Sequence, residues 1–162
     1  MSYADVKKII LEGKSAVSDP TINYIVGQTG SGKSTLINNI LQLQNNNCVI
    51  IDNDLWRSFY PNYLDLIKKF KTDELPEIIT AMKEWRNELI EEISSKKYNI
   101  IMHTSLTNVN EFLQQVEILR QQGYKCTMSV IACHEYYSRI RSCFRYMLST
   151  IRQRIWTICN RP

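Results

Sequence analysis

The 162-residue sequence contains no apolar run approaching 18 residues, the length that a membrane-spanning helix requires. Its N-terminus also lacks the apolar stretch of a signal peptide, because Asp5, Lys7 and Lys8 stand where that stretch would lie. The five cysteines show no C-x-x-C spacing and no second cluster of Cys and His, which argues against a disulfide framework and a zinc site. These absences predict a cytoplasmic protein with reduced thiols and no membrane partner.

Acidic residues are scarce in the last quarter of the chain. Residues 119–162 contain eight Lys or Arg residues and only one acid, Glu135, so the formal charge of this segment is +7. The whole chain has a formal charge of +4, so the rest of the chain carries −3. A basic segment of this kind binds anions. Nucleotide phosphates and nucleic acid both satisfy that requirement, and the charge alone does not choose between them.

The order of apolar segments predicts an α/β fold. Short runs rich in β-branched residues occur at 22–26, 48–51, 99–102 and 128–132, and segments with helical spacing lie between them. One of these helical segments ends at Gly123, a typical helix C-cap. Buried strands joined by helices imply a parallel sheet sandwiched between helices. We find no repeat and no linker, and therefore predict a single domain over residues 1–162.

A long amphipathic helix is predicted near the C-terminus. Apolar residues from Tyr137 to Ile158 recur on a stripe about 100° wide, which we expect to face the core. Several of its aromatic residues fall on that stripe, so we interpret them as core residues and regard nucleic acid as an improbable partner. The aromatic residues concerned are Tyr136, Tyr137, Phe144, Tyr146 and Trp156.

A phosphate-binding loop follows the first predicted strand. Residues 27–35 read GQTGSGKST, which is the G-x-x-x-x-G-K-[ST] pattern in a strand-loop-helix context. Three of only five glycines lie in this loop, so a general richness in glycine does not explain the pattern. The backbone N–H groups of such a loop bind phosphate oxygens. The loop therefore predicts ATP binding, with Lys33 on the β- and γ-phosphates and the Ser34 hydroxyl on Mg²⁺. The predicted nucleotide-binding residues are Gly27, Thr29, Gly30, Ser31, Gly32, Lys33, Ser34 and Thr35.

Two carboxylates follow the second predicted strand. Asp52 and Asp54 stand at its C-terminal end, the side on which parallel α/β sheets bind ligands. A carboxylate beside the γ-phosphate can accept the proton of an attacking hydroxyl. Aspartate is also a preferred N-cap residue, and for Asp52 the two interpretations remain open. For Asp54 we favour the catalytic interpretation.

From Leu11 to Tyr146 the sequence resembles the zeta toxin family, P-loop kinases of toxin–antitoxin systems that phosphorylate UDP-N-acetylglucosamine. The most specific likeness is IIDND at 50–54 followed by YPNY at 60–63. The remaining likeness lies in EGKSAV at 12–17, the loop at 27–35, YNII at 98–101, GYK at 123–125 and the ungapped segment 132–146.

Position by position, the resemblance implies that Lys33 and Ser34 bind ATP and Mg²⁺, that Asp54 is the catalytic base, and that Arg145 neutralises the transferred phosphoryl group. Helical spacing is compatible with the last role. Arg141, Arg145 and Arg152 lie within about 40° of one another, beside the apolar stripe, whereas Arg139 lies on the far side.

The sequence departs from the family at two places. His103 and Thr104 stand where the family has Glu-Gly, and that glutamate contacts substrate. We therefore predict a substrate role for His103 and Thr104, with a strand-end histidine as the alternative. Family members also continue with a further arginine, a His-Asp pair and another strand, which implies a truncated member. Arg152 is our candidate for the second lid arginine, in competition with Arg154 and Arg161.

The resemblance implies an ATP-dependent phosphotransferase with a nucleotide-sugar acceptor, together with an antitoxin partner. Two alternatives remain open. One is a catalytically weak ATP-binding remnant that acts through a protein partner, and the other is a small P-loop kinase with a different acceptor.

Overall fold

The structure, a computed structural model, describes residues 3–52, 56–72, 75–104 and 108–159. Helices and strands alternate along this part of the chain, with two successive helices between the second and third strands. In order they are α1 (Tyr3–Leu11), β1 (Thr21–Gly27), α2 (Lys33–Leu43), β2 (Val49–Ile51), α3 (Tyr63–Phe70), α4 (Pro76–Ser95), β3 (Ile100–His103), α5 (Val109–Gln121), β4 (Lys125–Ile131) and α6 (Glu135–Cys159).

The four strands form one parallel sheet in the order β2-β3-β1-β4. Parallel pairing places the carboxyl ends of all four strands at the same edge, which we call the carboxyl edge. The register pairs Ile25 with His103 and Ile51 with Met102, so the end of β2 lies beside the end of β3. The predicted α/β fold with a parallel sheet between helices is confirmed.

Apolar packing covers both faces of the central strands. On one face, Ile22 and Tyr24 of β1 pack with buried residues of α4 and α5. On the other, Ile25 and Ile101 pack against partly buried residues of α2. Because adjacent residues of a strand point to opposite faces, β1 contributes buried residues to both sides of the sheet. This packing fixes the end of β1, from which the phosphate loop begins.

The edge strand β4 begins three residues earlier than its apolar pattern predicts. Lys125, Cys126 and Thr127 continue the ladder by pairing with the first residues of β1. Charged and polar residues are tolerated there because an edge strand lies partly in solvent. Two of its apolar residues are exposed as well, Met128 at 47% and Val130 at 68%.

The predicted burial of the long helix is wrong for the part whose side chains the structure describes. Tyr137 is 63% exposed and Phe144 is 61% exposed, and Tyr136, Ile140, Tyr146 and Met147 are exposed too. The reason is that α6 approaches the phosphate loop with its polar face. Among the described elements none covers the apolar stripe. Trp156, Ile155 and Ile158 lie outside the side chains that the structure describes.

Candidate functional site

The phosphate loop has the backbone geometry of an anion-binding loop. It connects the end of β1 directly to the start of α2, as the motif requires. Gly30 and Gly32 adopt positive φ values of 74° and 105°, which side-chain-bearing residues rarely adopt. Helix α2 begins immediately after Gly32, and the first N–H groups of a helix have no partners within it. These N–H groups and the helix dipole provide the donors for a bound phosphate.

The Lys33 ammonium group contacts backbone carbonyl groups of its own loop. Its Nζ atom donates to the carbonyl oxygens of Gly27 at 2.5 Å and Gln28 at 2.8 Å. A lysine in this position has a side chain long enough to turn toward a triphosphate once one is bound. The bonds to Gly27 and Gln28 keep the charge at the loop.

Ser34 and Thr35 lie in the first exposed turn of α2. A hydroxyl beside the phosphate-binding N–H groups is a hard oxygen donor of the kind that Mg²⁺ prefers, so the residues present fit a magnesium–nucleotide complex. Ser31 is buried inside the loop, and its Oγ makes no hydrogen bond to any residue that the structure describes. This hydroxyl is a further candidate donor to a phosphate oxygen.

Helix α6 contacts the carbonyl groups of the phosphate loop. Ser138 donates its hydroxyl to the Thr29 carbonyl oxygen at 2.5 Å, and Arg141 donates Nη1–H to the Gly30 carbonyl oxygen at 3.3 Å. The Gln28 side chain donates in return to the Cys133 carbonyl oxygen at 2.8 Å. The helix that carries most of the basic C-terminal residues therefore begins against the phosphate loop.

His103 and Asp52 meet at the carboxyl edge, one at the end of β3 and the other just after β2. His103 Nδ1 lies 3.6 Å from Asp52 Oδ1, and both side chains are about three-quarters buried. This contact is longer than a hydrogen bond but brings the imidazole within the range of an ion pair when it is protonated. His103, at the position that the resemblance assigns to substrate, therefore has a carboxylate neighbour.

A cavity of about 70 Å³ opens next to Thr104, whose N–H donates to the Ile25 carbonyl oxygen at 3.2 Å. The Arg86 guanidinium group donates to Glu111 Oε1 at 3.2 Å, while its buried Nε–H makes no hydrogen bond to the described residues. Burial holds the pKa of Tyr24 above its usual range, so the phenol stays protonated and donates to Gln115 Oε1 at 3.3 Å. The cavity is lined by Arg86, Met102, Thr104, Asn108, Glu111, Phe112 and Gln115.

Three predicted site residues cannot be placed by their side chains. Asp54 lies outside the described residues, between Asp52 and the next described residue, Trp56. Arg145 and Arg152 belong to α6, but their side chains lie outside the described part of the chain. Their catalytic and substrate-binding roles remain predictions.

The structure adds residues that the sequence pattern does not single out. Ser138 contacts the loop from 109 positions away in sequence, and Arg86 reaches the cavity from the middle of α4. Neither belongs to a local motif. The one available signal concerned Arg141, which helical spacing places beside the apolar stripe.

Comparison with known proteins identifies the family. The sequence profile described as "Zeta toxin" matches residues 7–159. The chain belongs to the zeta toxin family. This confirms the resemblance on which the site roles depend.

Two curated zeta toxins illustrate the extent of the likeness. Toxin zeta of Enterococcus hirae is 28% identical over 137 residues, which are 85% of this chain and 48% of that protein. Toxin PezT of Streptococcus pneumoniae serotype 4 (strain ATCC BAA-334 / TIGR4) is 29% identical over 138 residues, 85% of this chain and 54% of that protein. The chain thus spans about half the length of the curated relatives it matches.

A solved structure from the PezAT chromosomal toxin–antitoxin system of Streptococcus pneumoniae superimposes with a TM-score of 0.84 and 26% sequence identity. The match covers 93% of this chain and 63% of the other. Within the described residues, no helix has the length and apolar composition needed to cross a bilayer, and no cluster of His, Cys, Asp and Glu has the arrangement of a metal site.

The packing of α6 on the loop predicts a specific sensitivity at Gly30. A Cβ atom there would lie 2.7 Å from the Ser138 backbone oxygen, whereas a Cβ at Gly13, with a similar φ of 68°, would meet nothing within 4 Å. Gly13→Ala should cost about 1–2 kcal/mol of unfolding free energy for the left-handed backbone alone. Gly30→Ala should cost a further 1–3 kcal/mol or so because of the overlap with α6. Urea unfolding followed by circular dichroism measures both, and equal losses would mean that α6 does not lie against the loop.

Proposed function

We propose that the chain is an ATP-dependent phosphotransferase that phosphorylates a hydroxyl of a nucleotide sugar such as UDP-N-acetylglucosamine. The proposal is supported by one observation above all. The phosphate loop opens at the carboxyl edge, where the register also places Asp52, His103 and Thr104. A nucleotide on the loop and an acceptor at the ends of β2 and β3 would therefore be neighbours.

In the proposed reaction the acceptor hydroxyl attacks the γ-phosphorus of ATP, and ADP leaves. Asp54, which follows the end of β2 by three positions in the sequence, takes the hydroxyl proton. Lys33 gives up its hydrogen bonds to the two loop carbonyls and contacts the β- and γ-phosphates instead. Arg145 neutralises the charge that develops on the phosphoryl group. Ser34 would hold Mg²⁺, which supplies further neutralisation of phosphate charge when bound.

The end of β3 and the cavity beside Thr104 form the proposed acceptor subsite. Thr104 follows His103 in the chain, and the cavity offers donors and acceptors that suit one polar group of a sugar derivative. The Nε–H of Arg86, which makes no hydrogen bond to the part of the chain that the structure describes, needs an acceptor oxygen, since a buried donor without one is costly. A carbonyl or phosphate oxygen of the acceptor would satisfy it.

A second candidate function is that of a weakly active nucleotide-binding protein that acts through a protein partner. The observation that favours it is the Asp52 neighbour of His103, because the carboxylate engages the position at which the family contacts substrate. The names of the relatives and the PezAT structure refer to toxins and a toxin–antitoxin system. We propose an antitoxin-like partner under either candidate.

ATP with Mg²⁺ should raise the melting temperature of the wild type, because a ligand that binds only the native state stabilises it by about 2.7 kcal/mol at one hundred times its Kd. Lys33→Ala should abolish most of this shift. Lys125→Ala is the matched control, since Lys125 begins β4 at the opposite edge of the sheet and should leave the shift intact. Chelating Mg²⁺ with EDTA should reduce the wild-type shift. A wild type that melts at the same temperature with and without millimolar ATP–Mg²⁺ would contradict nucleotide binding.

Asp54→Asn should lower phosphoryl transfer on the order of 10²- to 10⁴-fold, because the amide keeps the shape of the side chain but cannot take a proton. Its ATP affinity should stay close to that of the wild type. The assay follows transfer of label from γ-labelled ATP to UDP-N-acetylglucosamine, with Asp65→Asn in α3 as a control for loss of one carboxylate. Unchanged transfer would remove Asp54 from the mechanism.

His103→Glu tests the departure from the family at the acceptor subsite. If the sugar nucleotide is the acceptor, a carboxylate should gain charge-assisted bonds to its hydroxyls, and turnover should rise about tenfold. His103→Gln is the control, because it removes the imidazole without adding charge. If both variants match the wild type on every acceptor, residue 103 lies outside the site. A loss of activity with a different acceptor would instead support the alternative specificity.

A further inference from the structure

The carbonyl groups of the phosphate loop accept hydrogen bonds from two elements of the fold. Lys33 occupies the carbonyl oxygens of Gly27 and Gln28, and helix α6 occupies those of Thr29 and Gly30. Four successive loop carbonyls therefore each accept a hydrogen bond from a side chain. Backbone carbonyl groups of an ordered loop need hydrogen-bond donors, and here side chains supply them.

The two donors differ in what a bound nucleotide requires of them. Lys33 has to leave its carbonyls in order to reach the phosphates. Ser138 and Arg141 bond to the other two carbonyl oxygens, those of Thr29 and Gly30. These bonds can persist when ATP is bound and Lys33 contacts the phosphates.

Helix α6 and the loop are in close contact, so a movement of one affects the position of the other. Where a Cβ at Gly30 would lie, the Ser138 backbone oxygen is 2.7 Å away, the Ser142 hydroxyl 3.1 Å and the Arg141 Cβ 3.3 Å. Gly30 is buried as a result, although it belongs to a surface loop. Any shift of the first turns of α6 has to move the loop as well.

The geometry assigns Arg141 the role of a positioning residue that fixes the Gly30 carbonyl and thereby the N–H groups that bind ATP. This inference rests on the proposed function, because it assumes that ATP occupies the loop. Arg141 is suited to the role, since a guanidinium group gives charge-assisted bonds to a carbonyl oxygen. Residue 145 follows one helical turn later on the same face of α6, so the same contact sets the distance between the loop and the residue proposed to neutralise the phosphoryl group.

Arg139 provides a matched control on the same helix. It carries the same charge two residues away, but its side chain is 72% exposed and lies 3.8 Å from Glu135 rather than on the loop. A general electrostatic attraction to ATP would weaken equally when either arginine is removed. A role for the contact with Gly30 would appear only at Arg141.

The test measures the affinity of a non-hydrolysable ATP analogue with Mg²⁺ by calorimetry. Arg141→Ala should weaken binding about tenfold, and Arg139→Ala should change it less than about twofold. Arg141→Lys, which retains a charged donor, should recover affinity to within about threefold of the wild type. The melting temperature without nucleotide should change little among the four proteins, because Arg139 and Arg141 are both exposed.

Hydrogen exchange adds a measurement that a merely structural role would not change. Nucleotide binding should slow exchange in the first turns of α6 in the wild type and in Arg139→Ala, but not in Arg141→Ala, because linkage between two sites is reciprocal. If the wild type binds the analogue and Arg141→Ala behaves like Arg139→Ala, the inference alone is wrong. If the wild type does not bind the analogue, the proposed function fails and the inference fails with it.

Discussion

The carbonyl groups of the phosphate loop need hydrogen-bond donors if the loop is to keep one shape. Two elements distant from each other in sequence meet this requirement, the first residue of α2 and the start of α6. The loop is therefore not an independent motif inserted into a sheet. Its shape depends on a helix that begins more than one hundred residues later, and the site exists only when the whole sheet has formed.

Parallel pairing supplies the second half of the arrangement. Because β1 and β3 are neighbours in register, the residue after β3 donates to a carbonyl of β1 just before the phosphate loop. The same pairing brings Asp52 of the β2 end to His103 of the β3 end. Residues from three separate segments thus meet at one edge because their strands pair in parallel.

Local sequence was sufficient for the central strands and the loop, and insufficient for the surroundings of the site. Ile22 to Val26 could be recognised because this run is rich in β-branched apolar residues, and the loop because its glycines and lysine have a fixed spacing. The start of β4 at Lys125 could not, since an edge strand needs no apolar pattern. The helices α1 and α3 were also not predicted; their short apolar patterns become significant only through packing on the rest of the fold.

The basic C-terminal quarter illustrates how the fold resolves an ambiguity that charge leaves open. From composition, its cations suit nucleic acid and nucleotide phosphates equally. In the structure the first turns of α6 contact the phosphate loop. This helix carries five of the eight basic residues of that quarter. Arg141 donates a hydrogen bond to a loop carbonyl, while Arg139 is exposed beside Glu135. An arginine that bonds to the backbone of a phosphate loop favours a small phosphate ligand. A polyanion would instead bind to a continuous, exposed basic surface. The position of the helix, rather than its net charge, therefore favours the nucleotide.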